Sequence, residues 1–381
     1  MIEKNEPTPD VQSRAGQDQN TDLNKIAAAT NPTQFQQQIG FSGNAREYFG
    51  IWIVNIILSV ITLGIYSAWA KVRRETYFKN NTKIADIGFG YHATGGQILK
   101  GRLIAVAVLF VIGVAQNALI FIEPDSAPLL SMFLVFLVPW ALNSSMRFAS
   151  RMTSYRNIRF NWHGTYWKTF WFLVIAPIFG LLTLGLLTPL ISKSYYSYFA
   201  RSHSYGRSRF SCTPNARQYY FAYLVGGILP TIIISVFLSL SLGYESLGYE
   251  SLGYGNLGYV GIWPLLISIA LFAFIFSMAF IYRILCRNLM MKSLNLANIA
   301  SFDSSISPIK FIWIYLSNFV VVIVSIGLLM PWTKIRMYNY LADATQIKLG
   351  EGLEKVVDEA NASRSSFGEE FAEFDGVEVT I

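Results

Sequence analysis

Long stretches without a charged residue constrain this chain more than any other feature. Seven such runs reach, or nearly reach, the roughly 20 residues that a helix needs to cross a bilayer. The runs are Ile51–Trp69, Leu103–Ile122, Ala127–Leu142, Thr169–Ser192, Tyr219–Leu242, Val260–Tyr282 and Phe311–Thr333. Because lipid offers backbone amides no partner, runs of this apolarity are expected to be helical. The predicted fold is therefore an all-α integral membrane protein of about seven hydrophobic helices.

Charge is scarce and unevenly placed in the 381 residues. Charged residues make up 14% of the chain, against about a quarter in a soluble protein. The net charge is +7, and nearly all basic residues flank the apolar runs. This placement indicates topology and contact with anionic headgroups, whereas nucleic-acid binding needs a basic soluble face. The predicted partners are the lipid bilayer and anionic lipids, with no nucleic acid.

The same charges leave two topologies open. The second-to-third and fifth-to-sixth connections contain no Lys or Arg, and the fourth run has basic residues at both ends. In one arrangement those two pairs of runs are hairpins, and runs one, four and seven enter and leave on the cytoplasmic face. In the other, seven crossings violate the positive-inside rule at some loops, which a statistical rule allows.

An internal repeat relates runs one, four and seven. Each contains a glycine that follows Thr or Ser plus one apolar residue, namely Gly64, Gly185 and Gly327. Pro189 and Pro331 follow two of these glycines by four residues, and a tyrosine follows each of the three by thirteen. Since proline removes a backbone donor, the pattern predicts bends at three equivalent positions. The first run has Ala68 in place of proline and is predicted to be the straightest.

A second repeat lies in the basic connections. Four short segments that alternate apolar and polar residues are centred on Phe89, Phe160, Phe210 and Phe302. The alternation predicts short strands or extended segments. We expect the four to lie together on the cytoplasmic side.

Composition divides the chain into three parts. Residues 1–40 are predicted to be a disordered cytoplasmic tail, residues 41–347 the polytopic membrane domain, and residues 348–381 an acidic tail. Tandem pentapeptides between Leu242 and Gly261 indicate a flexible outer loop. Reducing Gly243–Val260 to a short linker is expected to be tolerated.

The sequence offers no catalytic, cofactor or metal site. No ionisable residue lies inside any run, which disfavours a carrier with a buried proton-binding carboxylate. Neither His92, His163 and His203 nor Cys212 and Cys286 have metal-ligand spacing, and the cysteines are expected to be reduced thiols.

Two groups of polar residues are nevertheless candidates for binding. Asn55 and Asn318 are candidate intramembrane polar contacts, for which a hydrogen bond between helices is the ordinary alternative. Arginines within about two helical turns of a membrane exit suit phosphate headgroups, although orientation alone also accounts for their presence. These candidates are Arg73, Arg147, Arg201, Arg287 and Arg336.

The residues from Thr62 to Arg73, with Phe89-Gly90-Tyr91, resemble the signature of the YjgN family of bacterial inner-membrane proteins. A later copy is similar at Gly327, Pro331 and Arg336, and the resemblance runs from about Gly40 to Ile381. The pentapeptide insert departs from the family pattern, as does the middle copy, where Leu190 replaces Trp and Ser192 replaces Lys. The resemblance implies the bacterial inner membrane as location and no assigned activity.

Two functions follow as hypotheses. In the first, a multi-pass inner-membrane protein moves a solute or lipid without a buried proton-carrying carboxylate. In the alternative, a non-transporting structural or regulatory protein binds partners or anionic lipid through its basic cytoplasmic face. An enzyme is not expected.

Overall fold

A computed structural model describes residues 35–122, 127–228, 278–297, 299–350, 352–359 and residue 362. The long helices are Ala45–Ile61, Ser67–Asn81, Gly95–Ile122, Ala127–Arg151, Tyr166–Leu182, Thr188–Arg201, Pro308–Val324 and Met330–Asp343. A shorter helix, Ala216–Tyr223, continues into a π turn at Leu224–Ile228, and residues 278–292 and 352–359 are also helical. The strands are Phe35–Gln38 (β1), Gly40–Phe41 (β2), Thr82–Ile84 (β3), Ile87–Tyr91 (β4), Thr153–Tyr155 (β5), Ile158–Trp162 (β6), His203–Tyr205 (β7), Ser208–Arg209 (β8), Ser211–Cys212 (β9), Leu294–Leu296 (β10), Ala300–Ser304 (β11) and Thr345–Leu349 (β12).

The predicted all-α class with about seven hydrophobic helices is wrong. The strands form antiparallel sheets of five and seven strands, in the orders β1-β12-β11-β10-β9 and β2-β3-β4-β5-β6-β7-β8. Among the described residues one helix, Gly95–Ile120, is long and apolar enough to cross a membrane. The sequence prediction missed the sheets because each strand is only two to five residues long and lies outside the apolar runs.

The two sheets are joined into a closed ring of strands. Residues 35–41 pair with β12 through β1 and with β3 through β2, and Ile39 between them donates its N–H to Thr345 O at 3.3 Å. Residues 208–212 likewise pair with β7 through β8 and with β10 through β9. With 35–41 and 208–212 each counted as one continuous segment, every segment of the ring has a neighbour on both sides.

The ring is built from five units. In each unit the chain starts with a strand of the ring, continues as helices outside the ring and ends with another strand of the ring. Units 1 to 5 comprise residues 35–84, 87–155, 158–205, 208–296 and 300–349. In unit 4, residues 229–277 lie outside the described part of the chain. The last strand of each unit forms a hairpin with the first strand of the next. The fifth pair, β12 with β1, joins strands that lie about 310 residues apart in the sequence.

The hairpin turns are tight and match the twist of the strands. Ala85 and Asp86 have φ of 49° and 58°, and Arg156 and Asn157 have φ of 44° and 66°. Two consecutive positive φ angles define the type I′ turn, the connection that suits a two-residue hairpin. These turns fix the register that sends equivalent residues inwards.

The ring encloses one hydrophobic core to which each of its ten strand segments contributes a side chain. The first strands of the units contribute Ile39, Phe89, Phe160, Phe210 and Phe302, and the last strands contribute Ile84, Tyr155, Tyr205, Leu296 and Ile347. Leu353, Val356 and Val357 of the helix at 352–359 pack against the same core. The four predicted Phe-centred segments thus lie together. Ile39 occupies the equivalent position in a fifth segment, which the phenylalanine pattern did not reveal.

Tyrosine hydroxyls connect successive units inside this core. Tyr155 donates to Ile84 O at 2.9 Å, and Tyr205 donates to Tyr155 O at 3.0 Å, so each bonds the equivalent residue of the unit before it. Burial raises the pKa of Tyr205 to about 12. The hydroxyl therefore stays protonated and keeps donating throughout the physiological pH range.

Units 1, 3 and 5 turn back at their glycines. Leu63, Leu184 and Ile326 have φ of 49°, 51° and 50°, and the glycines after them have φ of 85–89°. Each glycine N–H bonds the carbonyl five residues earlier, at 2.7–2.8 Å. This is a Schellman motif, which ends a helix and reverses the chain. Runs one, four and seven are therefore helical hairpins that return to the ring, and none is a single crossing helix.

Side-chain hydroxyls complete these turns. The Thr62 hydroxyl donates to Leu58 O at 2.7 Å and accepts the Tyr66 N–H at 2.9 Å, and Thr183 makes the equivalent bonds. Ser325 accepts the Leu329 N–H in the same way and donates to Val322 O, three residues earlier. In lipid such backbone groups need an internal partner, which explains why Thr or Ser precedes each glycine. The tip residues are apolar and 93–94% exposed, as contact with lipid requires.

The prolines start helices and do not bend them. Pro189 and Pro331 occupy the first turn of the returning helix, where a backbone N–H has no intrahelical partner to lose. Ala68 lies in the same position, and its N–H makes only a 3.4 Å contact. The prediction that the first run is straightest is therefore wrong, because all three hairpins turn alike.

The repeated tyrosines hold these hairpins together. The hydroxyl of Tyr198 accepts the Thr165 N–H at 3.1 Å and donates to Thr165 O at 3.3 Å. Tyr77 and Tyr340 make the same pair of bonds to Asn44 and Ser307. Each tyrosine of a returning helix thus binds the backbone where the outgoing helix begins.

Replacing Tyr198 by phenylalanine is expected to lower the free energy of unfolding by about 1–3 kcal/mol, because it leaves backbone groups unpaired. Thermal unfolding in detergent measures this. Tyr195→Phe is the matched control, since Tyr195 is 42% exposed on the same helix. Equal melting temperatures for the two variants would contradict a stabilising role for the hydrogen bonds between Tyr198 and Thr165.

The boundaries of the predicted tails also change. Residues 35–40, assigned to the N-terminal tail, contain β1 and the start of β2, and residues 352–359, assigned to the acidic tail, form a helix packed on the core. The pentapeptide loop, with its predicted tolerance to deletion, lies outside the described residues, as do large parts of runs five and six.

Candidate functional site

A cationic cavity lies where unit 1 meets units 2 and 5. It has a volume of about 450 Å³ and is lined by both helices of the first hairpin. Four positive side chains line it: Lys71 and Arg74 of unit 1, Arg102 of unit 2 and Lys334 of unit 5. Neighbouring units in the ring thus bring together cations that are distant in sequence.

Positive charge in this cavity is poorly compensated. No acidic side chain lines it among the described residues. Glu75 accepts a hydrogen bond from Arg74 at 3.2 Å, but this pair is partly exposed. Burial and the charge of Arg74 lower the pKa of Lys334, and Glu75 only partly opposes them. A bound anion would relieve this repulsion.

Two polar groups complete the lining. Ser67 accepts a hydrogen bond from Arg102 and donates one to Gly64 O. Asn55 is 8% exposed, and its Oδ1 atom has no hydrogen-bond partner among the described residues. A buried carbonyl oxygen left unpaired costs about 1–3 kcal/mol, so Asn55 is a candidate contact for a donor group.

The counterpart of Asn55 in unit 5 is satisfied. Asn318 donates to Thr333 O at 3.2 Å, and its Oδ1 accepts a hydrogen bond from Arg336 Nη1 at 3.2 Å. In unit 1 the residue equivalent to Arg336 is Arg73, which is exposed. The two predicted intramembrane asparagines therefore differ: Asn318 has a structural role, whereas Asn55 lines a cavity.

An apolar groove adjoins the cavity. It has a volume of about 600 Å³ and lies between the helices Gly95–Ile122 and Ala127–Arg151 of unit 2. Ala105, Val108 and Leu137 are among its apolar lining residues. Lys71 and Arg102 line both the groove and the cavity. The combined surface is therefore cationic at one end and apolar along the other.

The arginines predicted to contact headgroups fall into two groups. Arg201 donates to Cys212 O at 3.0 and 2.7 Å, and Arg287 donates to Ser304 Oγ at 2.7 Å. With Arg336, which bonds Ser317 Oγ at 2.8 Å and Asn318, these side chains hold the protein together. Arg73 and Arg147 are exposed and make no polar contact within the described ranges.

The histidines and cysteines are placed in structural contacts. His92 Nε2 lies 2.7 Å from Ser154 Oγ, and His163 Nε2 lies 3.0 Å from Ser204 Oγ, in equivalent places of two units. His203 contacts Phe199 O at 2.9 Å. Cys212 and Cys286 are both buried and unpaired with each other. The expectation that no metal or cofactor binds stays a prediction.

Sequence reasoning missed the cations of the cavity. One signal was present: Lys71 and Lys334 each lie seven residues after the hairpin glycine, so the repeat could have singled them out. The contribution of Arg102 could not be found that way, since it depends on the packing of unit 2 against unit 1.

A chain with a long exposed apolar helix, three hairpins with apolar tips and a basic strand ring has the features of an integral membrane protein. Comparison with known proteins defines it further. The family described as "Bacterial protein of unknown function (DUF898)" matches residues 36–374, and the chain belongs to this family. No solved structure has significant similarity to it.

The curated relatives are named "Inner membrane protein YjgN". The protein of Salmonella typhimurium (strain LT2) is 25% identical over 354 residues, which cover 81% of this chain and 87% of the relative. The protein of Escherichia coli (strain K12) is 31% identical over 152 residues, which cover 39% and 37% of the two chains. The resemblance to the YjgN family and the inner-membrane location are thus confirmed.

Proposed function

We propose that this protein binds anionic lipid headgroups in the cationic cavity and is a multi-pass inner-membrane binding protein, not an enzyme. The observation that carries the proposal is the convergence of Lys71, Arg74, Arg102 and Lys334 on one cavity without an acidic lining residue in the described part of the chain. Phosphate is the anion that Arg and Lys side chains bind best at a membrane surface.

The position of the cavity favours a lipid headgroup. The helix Gly95–Ile122 has 28 residues and is about 42 Å long at 1.5 Å per residue, so it exceeds the hydrocarbon core of about 30 Å. Its partner Ala127–Arg151 returns to the ring, so the ring and its basic residues lie on one side. The positive-inside rule favours the cytoplasm for that side. Arg102, which lines the cavity, lies about two turns into the long helix, and this position suits headgroup level.

The test is titration of the purified protein in detergent with phosphatidylglycerol and with phosphatidylcholine, followed by native mass spectrometry. We expect selective binding of phosphatidylglycerol. The variant Lys71→Gln/Arg102→Gln should weaken that binding at least about tenfold, since each charge-assisted hydrogen bond contributes about 1.5–3 kcal/mol. Wild-type affinity should also fall as salt is raised.

The matched control is Arg73→Gln/Arg147→Gln, which removes the same charge from exposed positions outside the cavity. This control should bind phosphatidylglycerol as the wild type does. An equal loss in both double variants would show a diffuse surface charge effect and overturn the proposed site. Movement of a solute or lipid, the other function expected from the sequence, stays a prediction.

A further inference from the structure

The cavity and the groove together have the shape and polarity of one amphiphile site. The groove opens between two helices whose outward residues are exposed and apolar, among them Leu103 and Val106. Its end is marked by Lys71 and Arg102, which also line the cavity. A soluble anion would use only the cavity, whereas a membrane lipid would place its phosphate among the cations and an acyl chain in the groove.

Asn55 adds a requirement on the headgroup. Asn55 lines the cavity, and its Oδ1 atom is a buried acceptor without a partner among the described residues. In unit 5 the equivalent oxygen accepts from Arg336. A hydroxyl next to the phosphate would supply the missing donor without adding positive charge to a cavity that already holds four cations.

We propose that the site binds a diacyl phospholipid whose headgroup joins a phosphodiester to a free hydroxyl, as a phosphoglycerol headgroup does. The phosphate contacts Lys71, Arg74, Arg102 and Lys334, the hydroxyl donates to Asn55, and an acyl chain occupies the groove. This inference rests on the proposed function and adds to it the recognition of the hydroxyl and of the chain.

Other headgroups fit this arrangement less well. A zwitterionic headgroup would bring an ammonium group among the four cations, which repel it. A phosphodiester that ends in an alkyl group would leave Asn55 without a donor. Sites built around a hydroxyl discriminate strongly against ligands that lack it, because a buried polar group is then left unpaired.

The first experiment compares two lipids on the wild-type protein. Phosphatidylglycerol and phosphatidylethanol carry the same charge and acyl chains, and only the former has headgroup hydroxyls. Native mass spectrometry of the full-length protein in detergent should show about tenfold tighter binding of phosphatidylglycerol. Equal affinities would overturn the recognition of the hydroxyl without the need for any variant.

The second experiment uses variants. Asn55→Leu should remove the preference for phosphatidylglycerol while leaving phosphatidylethanol binding unchanged. Asn117→Leu is the control, because Asn117 is exposed, lies outside the cavity and bonds Gly113 O of its own helix at 2.8 Å. Thermal unfolding without added lipid confirms that each variant is folded. A preference that survives in Asn55→Leu would overturn the role of Asn55.

The third experiment tests the groove. Ala105→Trp fills it and should weaken phosphatidylglycerol binding about tenfold, whereas Val106→Trp, on the same helix but outside the groove, should not. Soluble glycerol phosphate should bind both variants and the wild type alike and far more weakly than the lipid. Tight binding of glycerol phosphate, or no effect of Ala105→Trp, would show that the ligand is a soluble anion or that the chain is not bound.

Failure of the hydroxyl and groove tests can be distinguished from failure of the proposed function. If Lys71→Gln/Arg102→Gln still weakens binding while the hydroxyl and groove tests fail, the cavity binds headgroups without reading their hydroxyl or chain. If that double variant has no effect, the proposed function fails as well.

Discussion

Replacing Ile347 by aspartate is expected to prevent the strand ring from closing. Ile347 is 3% exposed in the core of the ring and lies on β12, the strand that pairs with both β11 and β1. The described residues that pack in this core are hydrophobic, so a carboxylate there must be buried unpaired or protonated. The expected loss is about 4 kcal/mol or more in the free energy of unfolding.

Lys348→Asp is the matched control for this variant. It places the same residue one position further along β12, where the alternation of the strand directs the side chain to the exposed face. The yield of monodisperse protein and its melting temperature should be near wild type for Lys348→Asp and strongly reduced for Ile347→Asp. A stable Ile347→Asp variant would mean that the ring core does not hold the units together.

Gly88→Ala is expected to have the second large effect. A β-carbon on Gly88 would lie 2.3 Å from Asn80 O, a backbone atom at the end of the helix Ser67–Asn81. Because neither backbone can move without breaking the strand or the helix, we expect a loss of about 2–4 kcal/mol.

The control is Gly96→Ala in the helix Gly95–Ile122, where an added β-carbon meets nothing within 4 Å. Alanine should stabilise that helix by up to about 1 kcal/mol. The melting temperature should therefore fall for Gly88→Ala and rise for Gly96→Ala. A Gly88→Ala protein as stable as the wild type would show that strand β4 can separate from the helix.

The repeats carried most of what sequence could predict about this fold. Equivalent glycines at 64, 185 and 327 mark equivalent turns because only a glycine there tolerates φ near 85–89° after a left-handed residue. Four phenylalanines marked four ring segments because each points into the same core. The fifth segment was hidden, since Ile39 replaces phenylalanine and its partner strand lies at the far end of the sequence.

Hydrophobicity alone misled the prediction of class. A run of about 20 apolar residues reads the same whether it is one helix or two limbs of a hairpin. The discriminating signal was local, namely a hydroxyl residue, an apolar residue and a glycine in succession. The site was harder to predict from the sequence than the fold, because the cavity depends on which units become neighbours. Only ring closure brings Lys334 to Lys71.

Because β1 and β12 lie far apart in the sequence, the ring can close only after all of its strands have been synthesised. The segment 35–41 is synthesised before the other strands of the ring, yet its β1 partner, β12, is synthesised after all of them. A nascent chain therefore carries β1 with an unpaired edge until β12 has been synthesised and the helices between them have been inserted into the membrane. Products that stop before β12 keep that edge exposed, and an unpaired strand edge is a template for pairing with another chain.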